Sequence, residues 1–147
     1  MFHNSFLYEN VVITKIENYA AASTTDATST VLDMAGFDGV MFVAFLGTVT
    51  DASDLTLAAW ENATNDTVTP SAITGATTGV VAASTSSNKY MVLDIKKNAM
   101  AQRYVYCILT IDTQNAAIDN VIAIRYGARS LPVTADSGVL AAVTVAA

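Results

Sequence analysis

Apolar residues in this chain recur mostly with the two-residue period of β-strands, in short runs fenced by Gly, Asn, Asp, Ser and Thr. Residues 11–17 (VVITKIE) read as a first strand. Residues 18–30 are small and polar and read as a loop leading to a second strand near 30–34. Gly36 and the Asp38-Gly39 pair mark a turn. Residues 40–46 (VMFVAFL) break the alternation. One strand face would be Val40, Phe42, Ala44 and Leu46; the other would be Met41, Val43 and Phe45. Such a strand needs cover on both sides, one of them outside its own sandwich. Residues 54–61 (DLTLAAWE) follow as another strand, and residues 62–88 are a long soft stretch with a short strand expected at Val80 and Val81.

The most informative block is 89–133. Residues 90–95 place Met91, Leu93 and Ile95 on one face, with Asp94 and Lys96 on the other. Residues 97–101 fit a single helical turn. Residues 103–111 place Val105, Cys107, Leu109 and Ile111 on one face and Tyr104, Tyr106 and Ile108 on the other, so cover is expected on both sides here too. In residues 121–126, Ile122, Ile124 and Tyr126 share a face, and Arg125, Gly127 and Arg129 share the opposite one. About eight strands, without a long amphipathic helix, predict an all-β fold: a jelly-roll-like antiparallel β-sandwich. Residues 1–10 read as an amino-terminal arm that docks on its own sheet or on a neighbour. Residues 11–134 form the sandwich, and 135–147 an apolar tail that adds a strand or reaches a neighbouring chain.

Composition sharpens this picture. The chain has 147 residues, enough for one domain with a sizeable core. Hydrophobic residues make up 52% and charged residues only 14%, so few solvated side chains are available to cover the surface and a protein partner is expected. The longest strongly apolar run is far too short for a spanning helix, and no membrane partner is expected. A net charge of −6 and scattered cations argue against direct nucleic-acid binding. Residues 1–10 lack the basic and apolar regions of a secretory signal.

Candidate chemistry is sparse. The single histidine, His3, lies in the arm, a poor platform for a nucleophile–base pair or a zinc site. Cys107, the one cysteine, sits in an apolar run and reads as a small buried hydrophobe. Asp51 and Asp54, with Asp66, lack calcium-loop spacing; turn capping is the ordinary role of such residues, and whether they bind a cation stays open. Asn62 and Asn65 begin glycosylation-type triplets that read as chance. Trp60 with Tyr104, Tyr106 and Tyr126 would make either a sugar-stacking platform or ordinary core and interface. Arg125 and Arg129 would meet a partner's carboxylates or form intrachain pairs, for example with Asp94 or Asp112. No enzyme, cofactor or metal is expected.

Residues 121–133 (VIAIRYGARSLPV) follow the strand at 103–111 and carry Tyr126-Gly127-Ala128-Arg129 before Pro132. This closing pair resembles that of the small capsid decoration, or cement, proteins of tailed bacteriophages. The resemblance covers about the last third of the chain. It implies a non-enzymatic protein, made in the bacterial host cytoplasm, that binds the outer surface of the virion head. There it would bridge subunits of the major capsid protein against internal DNA pressure. A homo-oligomer is expected, a trimer slightly ahead of a dimer. The candidate interface is Phe2, Phe6, Tyr8, Phe42, Phe45, Tyr104, Tyr106, Arg125 and Arg129. The alternative is a carbohydrate- or receptor-binding jelly-roll module of a virion fibre or surface.

Overall fold

The computed structural model describes residues 6–82, 86–143 and 145. Its elements are α1 (Leu7–Asn10), β1 (Val12–Glu17), β2 (Ala20–Ser23), β3 (Ala27–Thr28), β4 (Leu32–Asp33), β5 (Gly39–Val49), β6 (Asp54–Asn62), β7 (Ser71–Thr77), β8 (Val81–Ala82), β9 (Tyr90–Lys96), β10 (Tyr104–Asp112) and β11 (Ala116–Tyr126). One sheet has the order β1-β11-β5-β9, with β2 also on β11. The other has the order β3-β10-β6-β7, with β4 also on β10 and β8 on β6. All of these pairings are antiparallel. Treat β3 and β4 as one interrupted strand and set aside the short β2 and β8. The orders then become 1-8-3-6 and 2-7-4-5, the interlocked pattern of a jelly roll. The expected fold class is the observed one.

The core lies between the sheets. Val40, Phe42, Ala44 and Leu46 of β5 and Met91, Leu93 and Ile95 of β9 point into it. Leu55, Leu57 and Ala59 of β6 and Val105, Cys107, Leu109 and Ile111 of β10 face them. A side chain such as Phe42, with no exposed surface, contributes about 2–3 kcal/mol by leaving water. Burial pushes the Cys107 thiol up to about 12, so it is a packing residue with little nucleophilic character. Glu61 ends the inward face of β6. Its Oε2 accepts from the backbone N–H of Ala101 (2.7 Å) and Gln102 (2.9 Å) and so holds the β9–β10 connection to β6.

Two local expectations are corrected. Residues 18–30 hold β2 and β3 instead of a plain loop. Their small side chains give no alternation, but Ser29 exchanges bonds with Cys107: its N–H donates to the Cys107 carbonyl (2.9 Å) and its Oγ accepts from the Cys107 N–H (3.0 Å). β11 starts at Ala116, five residues before the expected strand. Register shifts between Ala116 and Asn120 put both Ile118 and Val121 in the core and erase the two-residue period there. The turn at 97–99 is present as a short 3-10 helix.

Candidate protein-binding surface

The second face of β5 is where the sequence pattern and the fold meet. Pairing register fixes what lies beside it. Ile13 of β1, Ile124 of β11, Met41 of β5 and Asp94 of β9 form one cross-strand row. Lys15, Ile122, Val43 and Val92 form the next, and Asn120, Phe45 and Tyr90 the third. These side chains point away from the core, because their neighbours along each strand point into it. The outer face of the first sheet is therefore an apolar surface spanning four strands. Ile13 is 41% exposed, Val92 44% and Tyr90 64%. Phe45 and Tyr90 pack at 5.8 Å between ring centroids. Val43, between Ile122 and Val92 in the middle row, is 7% exposed.

Tyr126 closes one end of the face. A Cβ at Gly39 would collide with the Tyr126 ring, so glycine there lets the ring lie flat across β5. The hydroxyl then donates to Asp94 Oδ1 at 2.7 Å. Burial first, and then the Asp94 carboxylate, pushes the Tyr126 hydroxyl up to about 12. Asp94 and Lys15 stand at opposite edges of the apolar rows, on β9 and β1.

The candidate interface residues divide among several places. Phe45 is on the apolar face. Phe42 is in the core, because even-numbered residues of β5 point inward. Tyr106 points outward from the second sheet, paired with Trp60, yet is only 2% exposed. Burial first, and then the charge of Asp66, raises the Tyr106 hydroxyl above its ordinary value. Cover for Tyr106 thus comes from the chain itself, and neither Phe42 nor Tyr106 offers a partner any surface. Tyr104 is half-buried beneath the Arg103 guanidinium, 5.2 Å from the ring centroid. Phe6, which precedes α1, and Tyr8 within it are half-buried, and the Glu9 carbonyl of α1 accepts from the Val133 N–H (3.0 Å). The described part of the arm therefore docks on its own chain. Phe2 and His3 lie outside the described residues.

Arg125 lies on the opposite face of β11 from Ile122 and Ile124, in register with Val12 and Val40, and turns inward at the end of the sandwich. It donates to the Asp33 carbonyl (3.0 Å) and lies 4.9 Å from the centre of the Phe37 ring. It pairs with neither Asp94 nor Asp112 among the described residues and ties β11 to the β4 region. Arg129 is largely exposed, with Nε 3.8 Å from Asp38 Oδ1. Both arginines line a ≈390 Å³ cleft with Phe37 and Pro132.

Other chemistry does not converge. Among the described residues no group of three or more His, Cys, Asp or Glu side chains is placed to hold a metal ion. The Asp51 carboxylate accepts from the Ala52 N–H, as a turn-capping residue does. The Asn62 amide is spent on Asp66 and Val68. Trp60 and Tyr106 lie on the second sheet and Tyr126 on the first, so the four aromatics form no common platform. Sequence reading named both faces of β5 but missed Ile13, Tyr90 and Val92 as parts of the surface. The signal lay in strand order, which the alternation pattern does not carry. The tail, expected as a strand or a reaching arm, has no strand among its described residues; Leu140 is fully exposed and Val143 is 86% exposed.

No family model matches the chain, and no curated protein matches it. Among solved structures, the chain is similar to the PBSX exported protein XepA at 16% identity, with a TM-score of 0.51. The match covers 99% of this chain and 47% of that one, so the chain spans about half the length of XepA. A chain of the infectious bursal disease virus Gx strain structure matches at 9% identity and a TM-score of 0.49, over 83% of this chain and 34% of that one. At 16% identity the likeness to XepA is one of fold: the β-sandwich described above recurs over part of a longer protein.

Proposed function

We propose that this chain is a non-enzymatic structural protein of a phage virion. It decorates the outer surface of the head and bridges neighbouring major capsid subunits as a homo-oligomer. One observation carries the reading: apolar surface is left in water in two separate places, the outer face of the first sheet and the tail around Leu140 and Val143. A bridging protein needs at least two contact surfaces, and patches of this kind mark protein contacts. The resemblance of residues 121–133 to decoration proteins supports a phage setting, as does the fold shared with a phage exported protein. Oligomeric attachment to a repeating lattice multiplies weak individual contacts.

Co-sedimentation with expanded capsids of the same phage tests the reading. The full chain is expected to pellet with capsids at a saturating ratio. A chain ending at Gly138 is expected to bind about tenfold more weakly, which is about 1.4 kcal/mol, with an unchanged unfolding midpoint. Failure of the full chain to pellet, or equal binding by the shortened chain, would contradict it.

A further inference from the structure

We propose that the outer face of the β1-β11-β5-β9 sheet is covered by the same face of a second copy, related by a two-fold axis running along the strands. This deepens the decoration reading by naming one of the two partners and the surface it occupies, and it does not depend on the other partner being a capsid.

Area, shape and charge all bear on the choice of a second copy. Four strands about 4.8 Å apart and three rows about 7 Å apart cover roughly 400 Å² in projection, so two apposed faces remove on the order of 1,000 Å² from water. That lies at the lower end of what a specific dimer needs. The face is a pleated surface of mostly Ile, Val, Met, Phe and Tyr side chains, with Asn120 in its third row and Lys15 and Asp94 at its edges, and aligned packing of two sheets is the interaction that already builds this sandwich. Face-to-face self-packing is isologous and therefore closes as a dimer. A three-fold arrangement would place unlike surfaces together and leave this face open.

The edge charges select the axis. Lys15 stands at the β1 edge and Asp94 at the β9 edge, one cross-strand row apart. An axis along the strands lays β1 of one copy over β9 of the other. Each Lys15 then approaches the partner's Asp94 diagonally, across about 7 Å of row spacing that the lysine stem can span. An axis across the strands would lay β1 over β1 and β9 over β9, setting Lys15 against Lys15 and Asp94 against Asp94. Like charges in such positions are repulsive. Because Asp94 Oδ1 already accepts from the Tyr126 hydroxyl, the carboxylate is held in place for the second contact.

Sedimentation velocity on the intact chain, without capsids, tests this. The expected species at micromolar concentration has the mass of two 15.4 kDa chains. Val92→Lys and Ile13→Glu each place a charge on an exposed position of the face. They are expected to give monomers with the thermal unfolding of the dissociated wild-type protein. Lys15→Glu is expected to raise the dimer dissociation constant about tenfold, and Lys15→Glu combined with Asp94→Lys to recover most of that loss. A monomer or trimer for the wild type would overturn the proposal. So would a dimer indifferent to Val92→Lys and Ile13→Glu, or a Lys15→Glu defect that Asp94→Lys deepens. The two readings fail separately. A monomer that still pellets with capsids removes the dimer and leaves decoration standing. A dimer that ignores capsids does the reverse.

Discussion

At the scale of single residues, two carboxylates hold the ends of the structure in different ways. Glu61 is almost fully buried and accepts two backbone N–H groups from the β9–β10 connection. Glu61→Ala would leave both donors without a partner and is expected to cost roughly 1–3 kcal/mol in urea unfolding. Asp94 instead accepts from Tyr126, whose hydroxyl is raised to about 12 from its ordinary 10.0. The sign follows from the raised value. Above pH 10 the unfolded chain releases this proton and the folded chain keeps it, so folding stability falls as pH rises from 10 toward 12. Absorbance titration of tyrosinate should show Tyr126 and buried Tyr106 ionising late, and Asp94→Asn should bring Tyr126 alone down. If every tyrosine titrates together near 10, the Tyr126–Asp94 bond is not formed in solution.

At the scale of elements, the turns linking strands carry strain that sequence pattern does not show. Thr113, between β10 and β11, has φ +71°, and Ala52, between β5 and β6, has φ +63°. The two turns are joined: the Thr50 N–H donates to the Asn115 carbonyl (2.9 Å), and buried Ser53 Oγ donates to the Gln114 carbonyl (2.9 Å). A β-branched residue in the left-handed region costs about 1–2 kcal/mol. Thr113→Gly is therefore expected to raise stability by up to about 1 kcal/mol after the extra chain entropy glycine brings to the unfolded state. A lower unfolding midpoint would mean the threonine side chain has a role of its own. Strand positions were legible wherever buried apolar residues keep a period of two, as in β9, where Met91, Leu93 and Ile95 alternate with exposed residues. They were not legible where small residues pair by backbone alone, as in β3, or where register shifts in β11 break the period.

At the scale of the whole molecule, the sequence placed apolar residues on both faces of β5, and the fold buries one of those faces between the sheets. The candidate surface was half legible. Phe45 and the face of Ile122 and Ile124 followed from alternation. Their union with Ile13, Val92 and Tyr90 depends on β11 and β9 flanking β5, which only tertiary pairing decides. Tyr106 was misleading for the complementary reason: it points out of the second sheet yet is buried within the folded chain, which alternation does not show. The closing strands β10 and β11 differ in what their faces meet. Ile122 and Ile124 look outward from β11 to water, and Val105 and Leu109 look inward from β10 to the core. We propose above that the chain, paired through this face with a second copy, decorates a phage shell. Electron cryomicroscopy of capsids incubated with the intact chain tests it most directly. Added density is expected on the outer surface, repeated at equivalent lattice positions and shaped as sandwiches bridging neighbouring capsid subunits. Bare capsids under saturating protein, with the chain still folded, would contradict it.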